Sequence, residues 1–333
     1  MEVWSAANYA RAVYHNRSLL PTLDSASMSK FTLDGARQCT IAWCAVAAII
    51  GNGFAAFASA SEITATDDFR DVAAAVVDYA DEFGPEHVLL VLDIDNTLVA
   101  MNQALGSDQW FEWQRYLLDH EPRSDDLVAD SFDGLLEAQG LLYNLGRMHP
   151  PQRDLPMVIR RLQREGVNTL VLTSRGPEFR VATERELHRN GYDFEASALP
   201  VPNLPNGPYL PYDLHDLESD GLTRRDVSAF GLKEPKPITY DGGIMMTAGQ
   251  PKGAMLLSIL YHAEPEIDAI VYADDHIRHV AYVFAAAAGR GIEITAFHYT
   301  REEPRVKRFQ YGDKKDVGRR WRKLNRTLEE VYE

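Results

Sequence analysis

Two carboxylates, Asp93 and Asp95, stand two residues apart at the end of the stretch Glu86-His87-Val88-Leu89-Leu90-Val91-Leu92-Asp93-Ile94-Asp95-Asn96-Thr97-Leu98. The five consecutive apolar residues Val88 to Leu92 read as a strand buried on both faces, as in a parallel sheet. The acids follow where such a strand ends, and ligands bind along that edge in open α/β sheets. In such a place one carboxylate can serve as a nucleophile, Asp93, and the other as its acid/base partner, Asp95. The same residues also fit a strand that runs into a solvated Asp-Asn turn, so other positions must decide.

Three further polar positions recur at equivalent places. Thr173 follows the apolar run Thr169-Leu170-Val171-Leu172, Lys252 stands immediately before a helix expected over Gly253 to His262, and Asp274-Asp275 follows Ala269-Ile270-Val271-Tyr272-Ala273. A lysine at a helix N-terminus opposes the macrodipole and needs a reason, such as a bound anion. Singly, Thr173 could simply close a strand and Asp274-Asp275 could cap the next helix.

The elements that must position these residues alternate regularly. Helices are expected from Asp67 to Phe83, Leu155 to Glu165, Glu178 to Asn190, Gly253 to His262 and His276 to Ala288. Strands are expected at Asn168 to Thr173, Ala269 to Ala273 and Ile292 to Tyr299, with a hairpin from Ile238 to Met246 and one charged helix at the C-terminus. Such alternation predicts an α/β fold with a doubly wound parallel sheet. Two inserts interrupt it. Residues 98–150 are helical and aromatic, with helices at Asp108 to Leu118 and Asp126 to Met148, and are placed to cover the site as a cap. Residues 195–250 form an irregular second insert, where Pro200, Pro202, Pro205, Pro208 and Pro211 exclude regular helix or central strand.

The ordered set Asp93-Ile94-Asp95-Asn96-Thr97, Thr173, Lys252 and Asp274-Asp275 resembles the haloacid dehalogenase (HAD) superfamily of phosphohydrolases, motif for motif. The resemblance spans about residues 86–300. The segments Gly106-Ser107-Asp108-Gln109-Trp110, Leu172-Thr173-Ser174-Arg175 and Phe297-His298-Tyr299-Thr300 look like an uncharacterised bacterial branch known as a domain of unknown function. The superfamily resemblance implies a HAD-like core and an aspartyl-phosphate on Asp93. It also implies that Asp95 protonates the leaving alkoxide and then deprotonates water. Thr173 and Lys252 would contact the transferring phosphoryl group. Mg²⁺ would be held by Asp93, Asp95 through its backbone carbonyl, and the Asp274-Asp275 pair. Asp274 is favoured of the two because it sits where the strand ends. Several carboxylates beside a phosphate repel strongly, and a hard cation with oxygen ligands resolves this. Dehalogenases share only the first acid of this motif. Asp95 is what an alkoxide leaving group requires, so phosphate chemistry is expected.

The implied partner is a small phosphorylated substrate. Ser174 and Arg175, directly after Thr173, are candidate substrate contacts, with Arg175 able to clamp a phosphate or carboxylate or to form a surface salt bridge. Trp110, which shares a helix face with Trp113, is a candidate substrate contact or part of the packing of the cap. His276 and His279 read as helix residues outside the immediate site. Phosphotransfer to a hydroxyl other than water, and a binding or effector role on an inactive scaffold, are the competing functions.

Composition bounds these readings. The chain has 333 residues, 45% hydrophobic and 25% charged, enough for a full core, and its net charge of −15 argues against nucleic acid as a partner. The first 60 residues look like targeting. From Met28, the expected start, a weakly basic segment (Lys30, Arg37) leads to the apolar run Ile41 to Ile50, and Ala58-Ser59-Ala60 offers cleavage after Ala60. That run is too short to span a bilayer, so a soluble periplasmic or secreted protein is expected, with its catalytic domain over residues 61–333 and no stable membrane span after cleavage. The two cysteines, Cys39 and Cys44, both lie in the leader, which leaves the remainder without disulfide or thiolate chemistry.

Overall fold

Every residue from Val88 to Leu92 is buried, because the strand they form has layers of helices on both faces. In the computed structural model, residues 61–332 are described. The expected start at Met28, the signal peptide and cleavage after Ala60 lie outside the described residues.

The elements run β1 (Glu62–Thr66), α1 (Phe69–Phe83), β2 (Val88–Leu92), β3 (Ala100–Met101), α2 (Asp108–His120), α3 (Phe132–Leu145), β4 (Met148–His149), α4 (Leu155–Arg164), β5 (Asn168–Thr173), α5 (Arg180–Arg189), α6 (Arg224–Phe230), β6 (Thr239–Asp241), β7 (Ile244–Met246), α7 (Lys252–Tyr261), β8 (Ala269–Asp274), α8 (Ile277–Ala288), β9 (Glu293–Tyr299), α9 (Glu303–Tyr311) and α10 (Lys315–Tyr332). Seven strands form one sheet in the order β1-β9-β8-β2-β5-β7-β6. All its pairings are parallel except β6 with β7. The fold is α/β with a mostly parallel central sheet, compatible with a Rossmann-like arrangement.

The two-residue side-chain period of β2 divides the core. Val88, Leu90 and Leu92 join Phe69, Val72 and Val76 of α1 and Leu155, Ile159 and Leu162 of α4. Leu89 and Val91 join Ala254 to Leu257 of α7 and Val280, Val283 and Ala286 of α8. From β2 the chain passes outward to β5 and β7, then returns to β8 on the other side of β2. The order therefore reverses beside β2, and a crevice opens outside the strand ends at such a switch point.

Several local differences have physical reasons. The edge strand β1, paired with β9, lies directly after the leader-like segment, whose small apolar residues mask its short alternation. The expected helix over Asp126 to Met148 is confined to α3, because Ser131 caps its start by accepting from Gly134 N, and Gly146 ends it. Within the second insert, β7 joins the main sheet beside β5, so that part of residues 195–250 belongs to the core. The single C-terminal helix is two, α9 and α10, broken at Gly312.

Residues 98–150 supply α2, α3 and the antiparallel ribbon of β3 with β4. These helices do not pack alone. Leu105, Trp110, Leu135 and Leu142 share a small core with Val317, against which Phe309, Trp321 and Leu324 of the C-terminal helices also pack. We call this unit the roof. Among the described residues no helix is long and apolar enough to cross a membrane.

Candidate functional site

The turn after β2 is built by backbone hydrogen bonds in which Thr97, Leu98 and Val99 all donate to the Ile94 carbonyl. Asn96 takes a left-handed conformation, φ 57°, which asparagine tolerates better than most residues, and its N–H donates to Val99 O at 2.9 Å. This tight turn lets two neighbours of the acids reach across to β8. Asn96 Nδ2 donates to Asp275 Oδ2 at 3.0 Å, and Thr97 Oγ1 accepts from Asp275 N at 3.1 Å. Asp93 itself continues the pairing, its N–H donating to Ala273 O.

Lys252 opens α7 and is 1% exposed. Its Nζ donates to Asp93 Oδ1 and, at 2.6 Å, to Asp274 Oδ2. The expected reason for a lysine at a helix N-terminus is thus supplied within the chain, by two carboxylates. Gly253 makes this placement possible: a Cβ there would stand 2.5 Å from the Tyr282 carbonyl oxygen, so only glycine lets α7 start this close to α8. Asp274, fully buried at the end of β8, also accepts from the Tyr272 hydroxyl, from His276 N at 2.7 Å and lies 3.3 Å from His279 Nδ1.

These contacts set the charge states. Burial alone would disfavour the Asp274 carboxylate, but Lys252 and His279 outweigh it and hold the carboxyl well below the usual range. Asp93 is different: burial, with the negative charges of Asp274 and Asp95, lifts it to about 7 although Lys252 opposes the shift. Burial also raises Asp275 well above the usual range, opposed by His276 and reinforced by Asp108. Burial works against the Lys252 ammonium, yet Asp274 and Asp93 hold its pKa above the usual lysine value. Of the three converging acids Asp274 is the one held ionised, and Lys252 balances it; negative charge accumulates only as Asp93 and Asp275 lose their protons.

Asp95 faces another partner. Arg175 grips it bidentately, Nε to Oδ2 at 2.8 Å and Nη2 to Oδ1 at 2.7 Å. The guanidinium is held in turn by Thr183 Oγ1 of α5 at 2.9 Å and sits over the Tyr143 ring of α3, 4.1 Å from its centroid. Arg175 is therefore neither a surface salt bridge nor free to clamp a substrate. It is buried and spent on Asp95.

Thr173 is buried at the end of β5, and its hydroxyl accepts from Arg175 N at 3.2 Å. The loop after β7 continues the pairing beyond the strands: Thr247, Ala248 and Gly249 donate their N–H groups to the carbonyls of Thr173, Arg175 and Ser174. Ala248 accepts a left-handed φ of 52° to do so. A cavity of about 970 Å³ opens above these residues, lined among others by Asp93, Asp95, Thr173, Ser174, Arg175 and Lys252.

The structure thus brings together Asp93, Asp95, Thr173, Lys252, Asp274 and Asp275, with Ser174 on the same wall. Trp110 is not among them. It is 1% exposed and packs on Trp321, centroids 6.4 Å apart, because the C-terminal helices cover that face of α2. His276 and His279 lie closer than expected, both lining the cavity, and His276 Nε2 stands 3.2 Å from Asp108 Oδ2 at the start of α2. Asp108, Tyr143 and Tyr272 were not legible as site residues, since only the fold joins them to the strand ends. Asn96 and Thr97 were visible in the first motif, though not their hold on Asp275.

The acids could hold a cation. One oxygen from each of Asp93, Asp274 and Asp275 lies within 4.8 Å of the others, and Asp275 Oδ1 is buried without a hydrogen-bond partner. An all-oxygen, acid-rich set suits a hard divalent ion. The Asp95 carboxylate, engaged by Arg175, stands outside this set. Of the final pair, Asp275 holds the unsatisfied oxygen while Asp274 is crowded by donors, the reverse of the preference read from strand position.

The chain matches the model of the family described as "Protein of unknown function (DUF2608)" over residues 65–332. It belongs to that family. It is also similar to a protein of Chlamydia pneumoniae that carries the name "Putative outer membrane protein", 21% identical over 221 residues, which cover 66% of this chain and 72% of that protein. No solved structure matches the chain.

Proposed function

We propose that this DUF2608 member is a divalent-metal-dependent phosphohydrolase of the HAD type, with a helical cap formed by the roof. The observation that carries the reading is the convergence on one sheet edge of Asp93, Lys252, Asp274-Asp275 and Thr173, from the ends of β2, β5 and β8 and the start of α7, with Asp93, Lys252 and Thr173 lining the cavity above. These residues also match, in order, the four motifs that resemble the superfamily.

In this mechanism Asp93 attacks phosphorus with Oδ2, the oxygen outside its pair with Lys252. The bond to the ester oxygen breaks, and Asp95 gives that oxygen a proton. Water then attacks the aspartyl-phosphate, Asp95 takes its proton, and the Asp93–phosphorus bond breaks to release phosphate. Each carboxylate oxygen has two lone-pair directions, so Asp95 can hold the proton while still gripped by Arg175. Lys252 and the Thr173 hydroxyl bind the transferring phosphoryl group, as preorganised charge and dipole. Asp93, Asp274 and Asp275, with the Asp95 carbonyl, would hold Mg²⁺, which when bound offsets the negative charge of the acids and the phosphoryl oxygens.

Export to the periplasm or beyond fits the leader-like first 60 residues and the name carried by the Chlamydia pneumoniae relative. N-terminal sequencing of exported protein should begin near Ser61, and a start elsewhere contradicts that site of cleavage. The enzymatic reading is tested with a panel of aryl and aliphatic phosphate monoesters, with and without Mg²⁺. Metal-dependent turnover that vanishes in Asp93→Asn is expected. No turnover across the panel would point instead to a binding protein.

A further inference from the structure

Asp93, Asp95 and Lys252 occupy only the floor of the cavity. Pockets of roughly 300–1,000 Å³ accommodate ligands of drug size, and about 970 Å³ is far more room than a phosphoryl group needs. What lines the rest indicates the group that accompanies the phosphate.

Besides the buried pair Tyr143 and Phe179, two pairs of aromatic rings do so, from different elements. Phe111 of α2 and Phe132 of α3 meet edge to face, centroids 6.4 Å apart with planes at 63°. Phe230 of α6 and Tyr282 of α8 meet likewise, at 6.1 Å and 88°. Phe132 is 43% exposed, although Trp110 in the same roof is fully covered. Its ring lies under the Arg115 guanidinium, 5.9 Å from the centroid, which makes it one side of a platform able to stack a flat ring. Charge narrows the choice. Away from the floor and its histidines, the lining carries Arg115, Lys236 and Arg278 against Glu112, Asp133 and Glu178, so there is no surplus of positive charge to receive a polyanion.

We propose that the site takes phosphate monoesters whose alcohol carries a planar aromatic ring, the ring resting against Phe132. This rests on the phosphohydrolase reading of the same floor, and its test keeps the two apart. Two chemical sources share this feature, a ring bonded directly to the ester oxygen and a nucleobase one sugar away.

Affinities of AMP, phenyl phosphate, glycerol 3-phosphate and glucose 6-phosphate are measured calorimetrically on the exported protein carrying Asp93→Asn, in Mg²⁺. At least one aromatic ester should bind on the order of tenfold or more tighter than the aliphatic ones, the scale of one base–aromatic stack. Whether AMP or phenyl phosphate leads identifies the source. Adding Phe132→Ala should shrink that ratio roughly tenfold, and Phe132→Trp should keep it. Phe132 is exposed and stands outside the main cores, and an unchanged melting temperature checks that the fold is intact. Equal affinities, no binding at all, or a preference indifferent to Phe132→Ala overturns the proposal. Wild-type turnover of aliphatic and aromatic esters alike, with equal affinities, would leave the phosphohydrolase standing and remove the aromatic specificity. Selective aromatic binding without turnover of any ester would do the reverse.

Discussion

Asp93 and Asp95 leave the same strand two residues apart, yet the two sides of the cavity hold them by different means. On the β8 side Asp93 accepts from Lys252, which also donates to Asp274, and Asp274 in turn accepts from Tyr272, all carried by strands and a helix start of the core. On the β5 side Asp95 meets Arg175, which is oriented by Tyr143 of the roof and Thr183 of α5. The first side places one cation among several acids, whose full ionisation would leave negative charge for a metal ion to offset before a phosphate enters. The second pairs one acid with one guanidinium bidentately. In the proposed mechanism the first environment holds the nucleophile. An acid/base needs fixed orientation, and the second provides it.

Substitutions at the two acids are the sharpest way to break this contrast. Asp93→Asn should lower kcat on the order of 10⁴-fold or more, as loss of a nucleophile does elsewhere. Asp95→Asn should cost about 10²- to 10⁴-fold, the range for a general acid/base, and less when the leaving group is a good one that needs no proton. Steady-state kinetics with phenyl and nitrophenyl phosphates measure both. Equal losses that ignore the leaving group would erase the division of roles.

The two cations should differ in stability. Lys252→Met strands Asp93 and Asp274 in the interior and should destabilise the metal-free fold by about 3–5 kcal/mol in urea unfolding. Saturating Mg²⁺ should recover part of this, because the acids that lose Lys252 are the acids proposed to bind the metal. Arg175→Met should be milder, since the Asp95 side chain retains 17% exposure and can be reached by water, and Mg²⁺ should recover none of it. Recovery of both or neither would mean that the cation sits elsewhere.

Acidity gives a smaller effect with a definite sign. A carboxyl lifted from its usual value to about 7, as Asp93 is, contributes stability below about pH 4 that is lost as pH rises through 7. Asp275, also raised, acts in the same direction, whereas Asp274 is ionised throughout that interval. The metal-free protein should therefore lose stability from these groups between about pH 4 and 7. Mg²⁺, which requires the ionised acids, should raise the melting temperature more at pH 8 than at pH 5. At 100 times its Kd the ion would add about 2.7 kcal/mol. A shift equal at the two pH values, or absent, contradicts the assignment of these acids to the metal. Smallest of all, Gly253→Ala should force α7 away from the Tyr282 carbonyl and displace Lys252, for a loss of roughly tenfold in kcat/KM. Unchanged kinetics would show that the lysine tolerates the move.

The contrast also explains which parts could be read from the sequence. The β8 side was legible because its residues sit at strand ends, where an apolar run and the polar residue after it are adjacent in the chain. Asp93 and the Asp274-Asp275 pair are of this kind, as is Thr173 at the end of β5, while Lys252 was legible as a lysine at a helix start. The central part of the sheet was legible for the same reason, while the short edge strand β1 was not. The β5 side depends on contacts between elements. Nothing next to Arg175 points to Asp95, 80 positions away in sequence, or to Tyr143 beneath its guanidinium. The roof was harder still. Trp110 and Trp113 fit a substrate face until α9 and α10 supply the partners that bury Trp110 and pack on Trp113. Asp108 and His276 form a pair only because α2 returns over the start of α8.

The central claim is that Asp93 receives the phosphoryl group. Brief exposure of the protein to a ³²P-labelled aryl phosphate in Mg²⁺, followed by acid quenching and peptide mapping, tests it most directly. The account predicts acid-stable, hydroxylamine-sensitive label on the peptide containing Asp93, absent from Asp93→Asn and accumulating further in Asp95→Asn, where release to water is slowed. Label on another residue, or metal-dependent turnover undiminished in Asp93→Asn, would contradict it.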